Sequence, residues 1–246
     1  MVKSDDHTTL FSTDQGFIAL NSPVKLKILD FLKCGSRSFD EVVKSAGKAK
    51  STISVHLNDL KSCDLVEEQI DSTDKRKKMY FLNTQFMACS QKPIANHYDN
   101  ILQKVASSTE DEYDFLKYIF LAVKFGFEAH GIDLRPIIKT IGSDVGTCIS
   151  TNFESSDMDG VLNDIKTFWK SHKLGYVSIV DTEPLTIIVD DCFGCKSTPP
   201  VGKTLCSFDE GLFEGIFSGK FGLEFKMKEM ECYGTGHDHC LFVRQD

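Results

Sequence analysis

The chain has 246 residues, of which 41% are hydrophobic and 11% aromatic, so a disordered polypeptide is excluded and two domains of ordinary size are expected. No run of about 18 apolar residues occurs, and the first residues lack the apolar stretch of a signal peptide, so we expect a cytoplasmic protein without a membrane span. Residues 1–90 carry 13 Lys and Arg against 12 Asp and Glu, so the net charge of −8 belongs to the C-terminal part.

The first ninety residues have the pattern of three helices followed by a β-hairpin. Ser38 is a suitable cap for the second helix, and Gly47 ends it with a tight turn. In the third helix Ile53, Leu57 and Leu60 recur at helical spacing and predict a buried stripe. The expected elements are helices over 24–32, 39–46 and 50–62 and strands over 65–70 and 78–82.

A short turn between the second and third helices, followed by a hairpin with a basic tip, is the layout of a winged helix-turn-helix. A recognition helix needs short polar side chains at its N-terminal end, where base edges and phosphates lie, and cations in the wing can follow the DNA backbone. We therefore predict that residues 1–90 bind a double-stranded DNA operator. The expected DNA contacts are Lys50, Ser51, Thr52, Ser54 and His56 on the third helix and Lys75, Arg76 and Lys77 in the wing.

The segment from Ser51 to Val66 reads S-T-I-S-V-H-L-N-D-L-K-S-C-D-L-V. It resembles the recognition helix and following strand of the arsenic-repressor-type winged helices, whose pattern is S-x-H-L-x-x-L-x-x-x-G-L-V. Asp64 stands where that family usually has Gly, and Asp can adopt the left-handed helix end that Gly prefers. The resemblance covers about residues 20–85 and implies operator binding.

Beyond this domain the sequence predicts a linker helix over 91–109 and an α+β domain over 110–246. The linker helix has one apolar face, which fits either a dimer contact or packing on its own domain. The first helix of the α+β domain is too apolar on all sides for a surface helix. The expected elements are helices near 113–127, 134–148, 159–173 and 207–218 and strands over 176–180, 185–189, 223–229 and 241–243.

Five of the nine cysteines follow residue 190, which is unusual for a chain in a reducing compartment. Thiolates are soft donors that favour zinc, and three thiolates with one carboxylate complete a tetrahedral shell that leaves no place for water. Such a site is structural or regulatory. The expected zinc ligands are Cys206, Glu229, Cys232 and Cys240. His237 and His239 are alternative ligands, although a plain loop role is the stronger expectation for both. The isolated Cys34, Cys63, Cys89 and Cys148 are expected to be small buried hydrophobes.

Two stretches carry a second resemblance: C-S-F-x-x-G-L-F-E-G from Cys206, and E-x-x-C-x-G-x-G-x-x-x-C-x-F ending at Phe242. They resemble the vinyl-4-reductase domain family, small-molecule-sensing domains with a fold shared with vesicle-tethering TRAPP subunits. In aromatic-sensing relatives the corresponding Cys and Glu residues form a zinc site, which implies zinc at the four residues above. The predicted fold is therefore a winged helix-turn-helix followed by a TRAPP-like α+β domain. This combination resembles the methanogen-specific vinyl-4-reductase-domain regulators, described as redox-responsive.

The pair in Cys192-Phe193-Gly194-Cys195 lies outside that metal pattern. A C-x-x-C pair forms a reversible disulfide, offers two more thiolates to a metal, or remains inert in a turn. The leading interpretation is a homodimeric regulator whose operator binding is switched by cysteine oxidation, with Cys192 and Cys195 as the redox pair. The operator, the repressor or activator sense and the disulfide pairing are not determined by the sequence.

Two other functions are open. One is a regulator that senses a small apolar or aromatic effector and uses zinc only for structure. The other is an enzyme acting on a vinyl group, as the domain's name suggests. The chain has no dinucleotide-binding G-x-G-x-x-G after a strand, no open metal triad and no assigned nucleophile–base pair, so no enzymatic activity is expected.

Overall fold

The computed structural model describes residues 7–245 and divides into two compact units, with the border between Gln91 and Lys92. Residues 1–6, where no signal peptide is expected, lie outside the described residues. None of the described helices is both long and apolar enough to cross a membrane. The chain combines helices and strands in both units, which confirms the predicted mixed fold.

The first unit packs three helices on two small antiparallel sheets. Strand β1 pairs with β2 and β6, and β5 pairs with β3 and β4. The helices bury the predicted apolar stripe, including Ile53, Leu57 and Leu60. The elements are β1 (Thr9–Thr13), β2 (Gly16–Leu20), α1 (Pro23–Leu32), β3 (Arg37–Ser38), α2 (Phe39–Ala46), α3 (Lys50–Ser62), β4 (Val66–Ile70), β5 (Lys78–Leu82) and β6 (Gln85–Ser90).

Local sequence signals determine where the helices of this unit begin and end. Ser38 and Glu41 form a reciprocal capping box at the start of α2, and the Ser38 hydroxyl lowers the pKa of Glu41. Gly47 ends α2 with a φ of 65°. Asp64 adopts a φ of 56° after α3, which confirms that it takes the left-handed position usually held by Gly.

The second unit packs five helices on a four-stranded antiparallel sheet of order β10-β11-β9-β8. Its core centres on Trp169, whose ring stacks on Phe213 with centroids 4.8 Å apart. The elements are α4 (Ala95–Ser107), α5 (Glu112–Ala129), β7 (Ile132–Asp133), α6 (Arg135–Ser150), α7 (Met158–Ser171), β8 (Tyr176–Thr182), β9 (Leu185–Asp190), α8 (Ser207–Phe221), β10 (Lys226–Glu231), a 3₁₀ turn (Tyr233–Thr235) and β11 (Cys240–Gln245).

Helix α4 agrees with one of its two expected roles, and helix α5 differs from its expectation. The segment 91–109 contains α4, which packs on α5 within the second unit, because Ile101 is fully buried in its core. Helix α5 was expected to be buried on all sides. Its Leu121 and Phe125 are buried, but Leu116 and Val123 are more than half exposed, because only one face of the helix meets the core.

Helices α6 and α8 approach so closely that glycines are required between them. A Cβ atom on Gly215 would lie 2.0 Å from the carbonyl oxygen of Ser143, and one on Gly146 would lie 2.3 Å from that of Leu212. Backbone atoms cannot yield as the end of a flexible side chain can. This contact fixes the position of α8 against α6, and the start of α8 carries part of the site described below.

We therefore expect Gly215→Ala to lower the free energy of unfolding of the second unit by about 3 kcal/mol, the cost of overpacking a close-packed interface. Gly126→Ala on α5 is the matched control, because its Cβ would lie 3.3 Å from the Tyr98 ring, which can move. Denaturant unfolding followed by circular dichroism measures both. Equal stability of Gly215→Ala and the wild type would contradict the close approach of α6 and α8.

Candidate metal centre and nucleic-acid interface

Helix α3 presents a polar, exposed surface along the side opposite its buried stripe. Ser51, Thr52 and Ser54 are exposed, and His56 is half-buried with its Nδ1 atom lacking a hydrogen-bond partner among the described residues. Ala49, at the helix N-cap, has no side chain that could cap the first backbone N–H groups. The start of α3 thus offers free N–H donors and short hydroxyls, both suited to phosphate and base edges.

The wing is the loop of residues 71–77 between β4 and β5. Asp71 accepts hydrogen bonds from the backbone N–H groups of Thr73 and Asp74, and the Thr73 hydroxyl lowers the pKa of Asp71 to about 2. Arg76 is 90% exposed at its side chain and lies 3.2 Å from Asp74. Lys77 lies 3.8 Å from the same carboxylate. The wing is therefore a structured loop, and its cations can leave the Asp74 carboxylate to pair with DNA phosphates.

The cysteines that follow residue 190 come together in one buried cluster with Glu229. Cys192 and Cys195 lie in the turn after β9, Cys206 lies at the start of α8, and Cys240 opens β11. Cys232 directly follows β10 and precedes the 3₁₀ turn, and its sulfur accepts the N–H of Gly234 in that turn. A Cβ on Gly234 would lie 2.5 Å from the Lys203 carbonyl oxygen, so this turn requires Gly.

Two overlapping sets of four donors in this cluster can hold a metal ion. Within each set the donor atoms lie within 4.8 Å of one another. Cys206 and Cys240 belong to both sets. The first set adds Cys192 and Cys195, and the second adds Glu229 and Cys232, which are the four residues that the sequence predicts.

The sulfur separations favour the second set. A tetrahedral metal with bonds of about 2.3 Å to sulfur holds its sulfurs about 3.8 Å apart. The Sγ atom of Cys240 lies 3.8 Å from that of Cys206, which both sets share, and 3.8 Å from that of Cys232, which only the second set contains. It lies only 3.1 Å from that of Cys195, which is shorter than two sulfurs on one metal require.

Glu229 supports the same assignment. Glu229 alternates with Met227 along β10, so both side chains face the core. The strand begins at Lys226, later than expected, because Gly222 ends α8 with a left-handed turn. One carboxylate oxygen accepts the N–H of Cys206 at 2.7 Å, and the other is buried without a partner among the described residues. Burial raises the pKa of Glu229 to about 9. A buried oxygen without a partner beside three thiols is a donor suited to a cation.

Cys192 and Cys195 each contact a different member of the predicted metal set. The Sγ atom of Cys192 lies 3.5 Å from that of Cys206, and the Sγ atom of Cys195 lies 3.1 Å from that of Cys240. Hydrogen bonds from Cys195, Cys206 and Cys240 lower the pKa of Cys192. The contact with Cys192 raises the pKa of Cys206. The sequence separated these two cysteines from the metal pattern, and only the tertiary fold brings them together.

The remaining cysteines and the histidines lie outside the cluster. The expectation that the isolated cysteines are buried is wrong for Cys34, Cys63 and Cys148, which are exposed. His239 Nε2 lies 3.0 Å from the Glu231 carboxylate at the surface, in neither donor set.

The comparisons with known proteins agree with both parts of the structure. A family model described as "Bacterial regulatory protein, arsR family" matches residues 22–68, and the family model of the vinyl-4-reductase domain matches residues 185–245. The chain is similar to the Methanocaldococcus jannaschii protein MJ0150, at 32% identity over 51% of this chain and 72% of that protein. It is also similar to a probable mercury resistance operon repressor of Streptomyces lividans, at 37% identity over 26% of this chain and 52% of the repressor.

A solved structure of a vinyl-4-reductase family protein from Methanocaldococcus jannaschii aligns with a TM-score of 0.40 and 16% identity, over 60% of this chain and 90% of that one. The matched sequence segments are those that contain α3 and the Glu229, Cys232 and Cys240 donors. The chain therefore belongs to the vinyl-4-reductase-domain family, as a transcription regulator that carries an arsR-type DNA-binding domain ahead of its vinyl-4-reductase domain.

Proposed function

We propose that this protein is a zinc-containing, redox-responsive regulator whose operator binding is switched by the oxidation state of its cysteine cluster. The observation that carries the proposal is the 3.1 Å separation between Cys195 and Cys240, one sulfur from the C-x-x-C pair and one from the predicted metal set. Because these two sulfurs are in contact, oxidation of the C-x-x-C pair also affects the metal donors.

Zinc is the metal that suits the donors best. Cys206, Cys232 and Cys240 supply three sulfurs, Glu229 supplies one oxygen, and a shell of three thiolates and one carboxylate is closed and tetrahedral. Zinc in a closed site contributes folding energy and no hydrolytic chemistry. In this proposal residues 1–90 are the DNA-binding domain and residues 110–246 are the sensor domain. Residues 91–109, whose helix α4 packs within the second unit, connect the two.

Oxidation converts two thiols into one disulfide and delivers two protons and two electrons to a peroxide or disulfide oxidant. Between Cys195 and Cys240 such a bond needs the two sulfurs to approach by about 1 Å, since a disulfide spans about 2.05 Å. Cys240 is then no longer available as a metal donor. Cys192, whose Sγ atom lies 3.5 Å from that of Cys206, is the resolving partner that the C-x-x-C spacing supplies.

The protein acts as a homodimer in this proposal. Helix-turn-helix dimers bind half-sites one helical turn apart, so a change in subunit spacing is sufficient to switch operator binding. Exposed apolar side chains on α5, among them Ile119, Val123 and Phe127, provide a surface of the kind that subunits bury. Light scattering during gel filtration tests this part, and a monomer at micromolar concentration contradicts it.

The protein acts through DNA and has no catalytic role. The arsR-type domain and the similarity to a repressor support this, and the name of the vinyl-4-reductase domain does not oppose it. The direct test measures operator binding by fluorescence anisotropy with and without thiol reductant, and again with small apolar effectors under reducing conditions. Dependence on reductant supports the proposal, and dependence on an effector alone favours a sensor with purely structural zinc.

The wing makes a separate prediction. Replacing Arg76 and Lys77 together by Ala should weaken binding to all DNA sequences about tenfold. With each phosphate contact that is lost, fewer counterions are released on binding, so the slope of log K against log salt concentration becomes shallower by about 0.9 per contact. Lys27→Ala, at an exposed lysine of α1, is the control. Replacing Ser54 or His56 should instead alter sequence preference. An unchanged salt slope in the double variant would count against the wing.

A further inference from the structure

One segment of the second unit, the strap of residues 196–205, joins the second cysteine of the C-x-x-C pair to Cys206 and contains neither helix nor strand. Its middle lies on the 3₁₀ turn that precedes β11. There the backbone N–H groups of Val201 and Gly202 donate to the carbonyl oxygen of Gly234, at 2.7 and 2.9 Å. The strap is therefore attached to the cysteine cluster at both ends and at its centre.

Two consecutive prolines, Pro199 and Pro200, stiffen the strap, since each ring fixes its own φ and restricts the residue before it. The hydroxyl and the backbone N–H of Thr198 both donate to the carbonyl oxygen of Cys195, which fastens the prolines to the C-x-x-C turn. A displacement of Cys195 is therefore carried along the strap rather than absorbed near its start.

Three lysines fasten the strap to helices α4 and α5. Lys104 of α4 donates to the carbonyl oxygen of Ser197, and Lys124 of α5 donates to that of the last strap residue. Lys203 of the strap pairs with Glu128 at the end of α5, with 2.9 Å between Nζ and Oε1. The same ten residues thus contact the cluster and both helices.

The ion pair of Lys203 with Glu128 is the contact most sensitive to a shift of the strap. The Glu128 side chain is 5% exposed, and its second oxygen is buried without a partner among the described residues. Moving Lys203 away would leave a buried, uncompensated carboxylate, so the end of α5 would have to rearrange. The backbone oxygen of Glu128 accepts the N–H of Ile94, at 3.1 Å, directly before α4. A rearrangement at Glu128 therefore reaches the start of α4.

We propose that the strap transmits the oxidation state of the cluster to α4, the first helix after the border of the two units, by opening the Lys203–Glu128 ion pair. The inference rests on the proposed redox function and adds the element that carries the signal. Hydrogen peroxide takes two electrons and two protons from the thiols of Cys195 and Cys240, the S–S bond forms, and the O–O bond breaks to give two waters. The new bond draws the start of the strap toward β11 and displaces Lys203 from Glu128.

The test compares the wild type with the Glu128→Gln, Lys203→Met double variant, in which the ion pair is absent. Replacing both partners leaves no unpaired charge, and Asp133, which Lys203 also attracts, keeps Arg135 on both of its oxygens. Lys196→Met is the matched control, because Lys196 belongs to the strap but its ion pair is half exposed at the surface.

The first measurement is the rate at which iodoacetamide alkylates Cys195 and Cys206 in the reduced, full-length protein, followed by peptide mapping. If the strap couples the helices to the cluster, loosening it at α5 must also loosen it at the cysteines, because coupling is reciprocal. We expect both cysteines to react about fivefold faster in the double variant and at the wild-type rate in Lys196→Met. Equal rates in the wild type and the double variant overturn the inference, whether or not the protein responds to oxidants.

The second measurement is amide hydrogen exchange across α4 before and after treatment with hydrogen peroxide. We expect peroxide to accelerate this exchange about tenfold in the wild type and in Lys196→Met, but less than about twofold in the double variant. Unchanged exchange in a wild type that has formed the Cys195–Cys240 disulfide overturns the inference. Operator binding judges the proposed function separately. If it ignores peroxide, the redox switch is wrong, and the alkylation rates alone decide whether the strap couples the cluster to the helices.

Discussion

Replacing Cys206 or Cys240 by Ser is expected to reduce the bound metal from one ion per chain to nearly none. Each residue belongs to both sets of four donors, so neither set survives its loss. Because metal binding is coupled to folding, the free energy of unfolding should fall by about 4 kcal/mol. Metal analysis of the purified reduced protein and denaturant unfolding measure the two effects. Cys148→Ser, at an exposed cysteine of α6, is the control and should change neither.

The residues that the two sets do not share distinguish them. Cys240 Sγ lies 3.8 Å from Cys232 Sγ but only 3.1 Å from Cys195 Sγ, which predicts that Cys232→Ser loses the metal and that Cys195→Ser retains it. Glu229→Gln should weaken metal binding without changing the shape of the side chain, since the amide carries no charge. Loss of the metal in Cys195→Ser and its retention in Cys232→Ser would assign the metal to the set that contains Cys192 and Cys195. A metal-free wild type that is fully folded would contradict the metal site itself.

Periodicity and caps were sufficient for the DNA-binding helices, because their signals are local. The apolar stripe of α3, the Ser38 cap and the Gly47 stop all lie within a few residues of the feature that they determine. The strands β1, β2 and β6 were missed. Their pairing joins Phe11 to Phe86, about 75 residues apart, and no local pattern marks such a contact.

The candidate site likewise has a part that the sequence predicts and a part that it does not. Glu229 was predictable, because strand alternation and its spacing from Cys232 both aim it at the cluster. The contact of Cys195 with Cys240 was not, since it depends on how the turn after β9 lies against β11.

Oxidation is expected to change operator affinity about tenfold or more, and the Cys192→Ser, Cys195→Ser double variant is expected to abolish that response. The double variant removes the sulfurs that contact Cys206 and Cys240 but leaves all four residues of the predicted metal set. It should therefore bind DNA equally with and without reductant and still contain its metal. Anisotropy titrations and metal analysis on the same samples measure both properties.

The identity of the disulfide in the oxidised wild type tests this prediction further. If Cys195 joins Cys240 in the oxidised wild type, peptide mapping finds that disulfide and the protein loses metal on oxidation, because one donor of the set is consumed. A double variant that still switches and loses metal would move the sensor to Cys206, Cys232 and Cys240 alone. If neither protein responds to reductant, redox sensing is wrong, and the effector-binding function takes its place.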